Sequence, residues 1–180
     1  MDATNRLRQD VICNIAKLMP QKGKTAMMKT MFFLQEVYKV PLNYDFTIFT
    51  FGPFDEDVLM YMDYAKHKEL IDIKPDPSVD YLSYNITHIE EPEKLDRQHD
   101  ESLKEIVKNF GSFTVKEWEL ASTILFSYLS LYESNPGAEM NMDELDEDVR
   151  RIKPHFSRDK IKEKREFLDG LGIFDKAIAD

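Results

Sequence analysis

Residues 20 to 30, PQKGKTAMMKT, include a Gly-Lys-Thr triplet at residues 23 to 25 that resembles the end of a nucleotide-binding loop. Such a loop needs an earlier glycine five residues before the second one, because its backbone must curl until the N–H groups surround the phosphate oxygens. Here that position is Leu18. The loop must also leave a buried strand, whereas Leu7, Val11, Ile12, Ile15 and Leu18 recur at helical spacing and predict a helix over residues 6–19. The triplet therefore reads as a helix boundary. Pro20 and Gly23 break one helix, Thr25 helps start the next, and Lys22, Lys24 and Lys29 are expected to be solvated charges. No cofactor is expected.

The remaining chemistry-bearing residues point the same way. His67, His88, His99 and His155 are scattered, with no pair at i and i+4, so no metal site is predicted. The single Cys13 falls among apolar helical neighbours and reads as a buried packing residue. Adjacent carboxylates such as Asp55-Glu56-Asp57 sit at expected helix starts, where the macrodipole favours anions without any catalytic role. No serine nucleophile elbow occurs, and the reading is non-enzymatic. Near the C-terminus, six acids between Glu139 and Asp148 precede a basic run. That run holds Arg150, Arg151, Lys153, Arg158, Lys160, Lys162, Lys164 and Arg165 against Asp159 and Glu163. The favoured reading is mutual compensation between adjacent solvated helices. The sharper alternative makes those eight cations a docking face for an acidic protein or for nucleic acid.

Hydrophobic residues make up 42% of the chain, including 12 Phe and 8 Tyr, which is enough for a substantial core despite 32% charged residues. The longest apolar runs are a few residues, far short of the ~20 needed to span a bilayer, and the N-terminus lacks a signal-like apolar segment. A cytoplasmic protein without a membrane role is expected. The net charge of −10 argues against general nucleic-acid affinity, since each phosphate contact needs a cation.

These residues must be positioned by a predicted series of elements. After the first helix, a second carries a wide stripe of Met27, Met31, Phe32, Leu34, Val37 and Tyr38, broad enough for a nearly enclosed helix. FTIFTF then predicts a short strand, and Gly52-Pro53 a turn. Asp55 caps a third helix running to about Leu70, with Phe54 stapled onto Leu59 and largely buried. IDIK and YLSYNIT predict an antiparallel hairpin. Residues 1–89 thus form a winged-helix-like subdomain with a small antiparallel sheet. Residues 90–180 form a helical half of about four helices packed on it, and the fold class is mainly α (α+β). In the second half Gly111 ends a helix, Thr114 and Glu117 make a capping box, Phe113 staples onto Trp118, and Asp143 and Ser157 are further caps.

KGKTAMMKTMFFLQEVY, YDFTIFTFGPF with its acidic cap, and KHKELIDI together resemble the Panacea domain of SocA-like antitoxins. They are more closely similar to the YwgA-like group of uncharacterised prokaryotic proteins, a similarity that WELASTILFSY and IKPHFSRDKI extend into the second half. The resemblance implies a protein-binding role, with a toxin or a AAA+ protease component as the partner, and attaches no catalytic residue. Its central structural motif here is Gly52, Pro53, Phe54 and Asp55. The alternative is a winged-helix DNA-binding regulator, but the third helix, which would enter the major groove, begins with three acids. Homo-oligomerisation stays open.

Overall fold

The computed structural model describes residues 2–78 and 83–179. The chain begins with α1 (Ala3–Leu18), which starts earlier than the apolar spacing predicts because the Asp2 carboxylate accepts the Asn5 N–H as an N-cap. α2 (Lys24–Glu36) buries every residue from Ala26 to Leu34, as its wide stripe requires. Its N-cap is Gly23, not Thr25, and no side chain caps it. Between the two helices Gln21 N–H donates to Ile86 O and Ile86 N–H to Lys22 O, so the PQKGKT stretch is pinned to the later hairpin.

The expected strand and turn form a hairpin of their own. β1 (Thr47–Phe49) pairs antiparallel with β2 (Gly52–Phe54), so the Gly-Pro-Phe segment is itself a strand. Thr50 and Phe51 make a two-residue turn, and the positive φ falls on Gly52 at +90°, the first residue after it, opposite Phe49. Proline is tolerated because this two-stranded sheet leaves its N position without a ladder to complete. α3 (Glu56–His67) follows with Asp55 as N-cap, accepting from Asp57 N–H, and the other Asp55 oxygen accepts from Asp45 N–H. Phe54 is half-buried, not largely buried. Its ring lies 5.6 Å from that of Phe49 on the neighbouring strand.

The second hairpin is β3 (Ile71–Pro75) paired antiparallel with β4 (Tyr84–His88), Ile71 opposite His88 and Pro75 opposite Tyr84. The expected strand start at Tyr81 lies outside the described residues. The first half thus runs α1, α2, the β1–β2 hairpin, α3 and the β3–β4 hairpin, a mixed helix-and-hairpin arrangement. Arg8 of α1 locks it: Nε donates to Leu42 O (2.6 Å), a terminal nitrogen to Asn43 O (2.5 Å), and the guanidinium sits 4.2 Å from the Tyr44 ring centroid and 3.4 Å from the Asp57 carboxylate. A helical residue thereby satisfies the carbonyl of buried Leu42, which would otherwise be left without a partner, and ties down the exposed Asn43 beside it.

The second half contains five helices, one more than expected: α4 (Arg97–Phe110), α5 (Val115–Ser134), α6 (Met142–Ile152), α7 (Arg158–Gly170) and α8 (Ile173–Ile178). The Thr114–Glu117 capping box is present, and Ser157 caps α7. Asn141, not Asp143, caps α6, its amide oxygen accepting from Asp143 and Glu144 N–H, which leaves Asp143 in the first turn. One buried apolar cluster runs through both halves, from Val11 to Ala177. Phe33 of α2 meets both Phe110 of α4 (5.0 Å between centroids) and Trp118 of α5 (6.0 Å), and Phe113 lies 5.7 Å from Trp118.

A Cβ on Gly52 would lie 2.9 Å from Ser122 Oγ and 3.1 Å from Thr123 Oγ1 of α5, in a backbone conformation that costs L-residues about 1–2 kcal/mol. Gly52→Ala is therefore expected to lower the urea-unfolding free energy by about 1–3 kcal/mol. Equal stability of the variant would show that the hairpin does not press on α5.

Candidate protein-binding site

A lysine in the middle of an enclosed helix must find acceptors or lose its charge. Lys29, 2% exposed, donates from Nζ to Pro53 O at 2.5 Å. From the other side Lys153, the C-cap of α6 and 3% exposed, donates to Phe49 O (3.4 Å) and to Thr50 O. It also pairs with Glu119 Oε1 of α5 at 2.9 Å, and His155 Nε2 lies 3.5 Å from the same oxygen. Two buried lysines thus hold three carbonyls of the β1–β2 hairpin, and one of them, Lys153, is ion-paired to the buried Glu119. Burial, with the neighbouring Lys153 charge adding to it and Glu119 opposing, pulls the Lys29 pKa down to about 7.

What this clamp presents is apolar. Phe49 and Phe51 at the hairpin tip are 64% and 57% exposed. Phe51 borders a cleft of about 320 Å³ whose other walls are Gln21–Ala26, the start of β4 around Tyr84, and Phe113, Val115 and Trp118 at the start of α5. The PQKGKT stretch therefore forms a wall of the cleft, held by its pairing to β4. Gly23 is needed there, since a Cβ would lie 2.9 Å from Tyr84 O. Lys22 Nζ donates to Phe113 O (3.2 Å), and Lys24 Nζ lies 4.7 Å from the Tyr84 ring centroid. The aromatic surface continues from Phe113 to the partly exposed Phe167, 5.8 Å away.

The eight C-terminal cations do not form one open face. Lys153 is inside the clamp. Arg165 makes a two-pronged bond to Asp146 (2.7 and 3.0 Å), and Lys164 reaches Glu117 (3.4 Å) and lies 4.0 Å from the Phe113 ring centroid. Arg150 and Arg158 both engage Glu147, Arg151 pairs with Asp148 (3.7 Å), Lys160 with Glu163 (3.2 Å) and Lys162 with Glu166 (3.9 Å). Each has a carboxylate beside it, but only Arg158–Glu147 and Arg165–Asp146 join α6 to α7, as expected of adjacent acidic and basic helices; four pairs are local to one helix and Lys153 and Lys164 reach α5. Gly52 and Pro53 are buried, and Asp55 is a cap that also ties down the preceding loop.

The first lysine group departs from expectation. Lys29 is buried, and Lys22 and Lys24 line the cleft, so none of the three is simply solvated. The sequence reading assigns Glu119 no role and Trp118 only a packing role. The available signal was charge inside apolar strings: Lys29 within AMMKTMFFL and Glu119 within WELA. Cys13 is buried, and burial raises its thiol pKa to about 11, leaving it protonated and weakly nucleophilic at neutral pH. His67 and His88 are exposed at the ends of α3 and β4, and His99 contacts its cap Asp96. No described helix is long and apolar enough to cross a membrane. No protein-family model matches the chain, and no curated protein matches it.

The depressed Lys29 pKa has a definite pH signature. Between about pH 7 and its ordinary value of 10.5 the unfolded chain holds a proton that the folded chain has released, so this group makes stability rise with pH across that window. Below pH 7 both states are protonated and the burial penalty is constant. Urea unfolding should show the Lys29 contribution approaching about 1.4 kcal/mol per pH unit inside the window, lost in Lys29→Met. Parallel pH profiles for the two proteins would refute the shift.

Proposed function

We propose that the protein is a non-enzymatic protein-interaction module of the cytoplasm, antitoxin-like or adaptor-like in role. The observation that carries this reading is the pair of exposed phenylalanines on a clamped hairpin, beside an aromatic-walled cleft. Exposed aromatics cost solubility, and a contiguous apolar surface with a polar surround is the usual mark of a docking site. Rigid mounting lowers the conformational entropy lost when a partner orders such side chains. The resemblance to SocA-like and YwgA-like proteins supports a protein partner, of which a toxin or a AAA+ protease component is the implied kind.

The DNA-binding alternative gains no support from the site. α3 starts with Glu56 and Asp57, exposes Glu56 and Asp63, and projects Met60 and Tyr64 between them. Acids and apolar side chains on that face oppose a phosphate backbone.

The test places a photo-crosslinking phenylalanine analogue at position 51 in cells of the native host, with the same analogue at exposed Lys104 of α4 as control. Position 51 is expected to capture a discrete protein that position 104 does not. Against that purified partner Phe51→Ala should lose tenfold or more in affinity, while its unfolding free energy stays within about 0.5 kcal/mol, the usual range for exposed positions. Equal capture from both positions, or unchanged affinity of Phe51→Ala, would overturn the reading.

A further inference from the structure

We infer that the cleft beside the hairpin receives an acidic peptide segment anchored by an aromatic side chain, a statement that rests on the protein-binding reading and specifies its partner. The walls supply the anchor pocket. Phe51, Phe113, Val115 and Trp118 are apolar, and about 320 Å³ accommodates one large side chain and its flanks, which suits a segment of chain.

The charge of the partner follows from how cations are distributed in this protein. In a chain of net charge −10, each of the eight cations between Arg150 and Arg165 lies against a carboxylate. Unlike those eight, Lys22 and Lys24 belong to the cations that, among the described residues, have no carboxylate within ion-pairing distance, and of these they are the two that line the cleft. Lys22 rests on a carbonyl and Lys24 on an aromatic ring, both at the cleft. The one described carboxylate in the lining, Asp76, is engaged by the backbone N–H (2.9 Å) and hydroxyl (2.6 Å) of Ser78. The first turn of α2 adds N–H groups that no side chain caps, giving the same wall a further positive bias. A partner carboxylate arriving here meets two cations against the single lining acid Asp76, whose charge is spread over the Ser78 donors, while its aromatic neighbour meets the Phe51 and Phe113 side. A basic segment would meet like charge at the cleft.

Trp118 is the single tryptophan of the chain and lines the cleft, so its emission reports occupancy. The probes are three acetylated, amidated nine-residue peptides of otherwise identical sequence. One carries Asp-Glu-Phe-Asp at its centre, the second replaces those acids with Lys, and the third replaces them with Ser. The acidic peptide is expected to change Trp118 emission saturably, to bind at least tenfold more tightly than the other two, and to weaken as salt rises. The double substitution Lys22→Glu, Lys24→Glu should cost tenfold or more, whereas Lys160→Glu, Lys162→Glu at the compensated helix should leave affinity within twofold. Urea unfolding of both variants confirms that each is folded at the assay temperature.

Equal affinity for the Ser peptide, preference for the Lys peptide, absence of saturable binding by all three, or indifference to Lys22→Glu, Lys24→Glu would each overturn the inference. Any of those results leaves the protein-binding reading to be decided separately by capture through position 51.

Discussion

The arrangement depends on a charge imbalance inside the protein. Lys29 and Lys153 are both buried, and the buried carboxylate Glu119 pairs with Lys153 and acts on Lys29 only through space. Desolvating three ions costs several kcal/mol each, and a buried pair often does no better than an apolar substitute. Here the lysines spend their remaining donors on Phe49, Thr50 and Pro53 carbonyls, so the ions fix the hairpin against α2, α5 and the end of α6. The depressed pKa of Lys29 removes the surplus charge just above neutrality, leaving Lys153 and Glu119 as a balanced pair. The cluster thus specifies where a short hairpin sits, which three-residue strands do not determine by themselves.

That placement determines the outer surface. With its carbonyls held inward and Gly52 pressed against α5, the hairpin turns Phe49 and Phe51 outward. α5 contributes to both layers: Glu119 faces the clamp, while Val115 and Trp118 line the cleft. The opening PQKGKT stretch completes the opposite wall, and its glycine serves close packing on Tyr84 O. Charge is partitioned accordingly. The C-terminal cations are neutralised by neighbouring acids, while the two cleft lysines rest on a carbonyl and a ring.

Much of the scaffold was legible in the sequence because local chemistry dictates it. Apolar spacing located the first five helices approximately and cap residues the next two, with Asp55, Thr114 with Glu117, and Ser157 capping where their side chains predict. Local rules failed where tertiary contacts decide. Lys29 sits in an apolar string, but the Pro53 carbonyl that accepts its hydrogen bond lies 24 residues away, and Gly-Pro-Phe reads as a turn until β1 pairs with it. Asn141 outcompetes Asp143 by two residues, within the ordinary uncertainty of a helix boundary. The short α8 follows Gly172, whose φ of +65° restarts the chain after α7, and six residues are too few for a clear period. The cleft was invisible because its walls come from segments about 20, 50, 84 and 115 residues along the chain, and no local pattern joins them.

Glu119 and Lys153 act as one unit in clamping the hairpin. A double-mutant cycle of Glu119→Gln and Lys153→Met, read by urea unfolding at pH 8, tests it most directly. Glu119→Gln alone leaves Lys153 buried without its counter-ion and should cost about 3–5 kcal/mol, whereas adding Lys153→Met should recover part of that loss. The account predicts a coupling of about 2 kcal/mol or more between the two positions. Additivity within about 0.5 kcal/mol would contradict it, showing that the two residues are buried side by side without depending on each other.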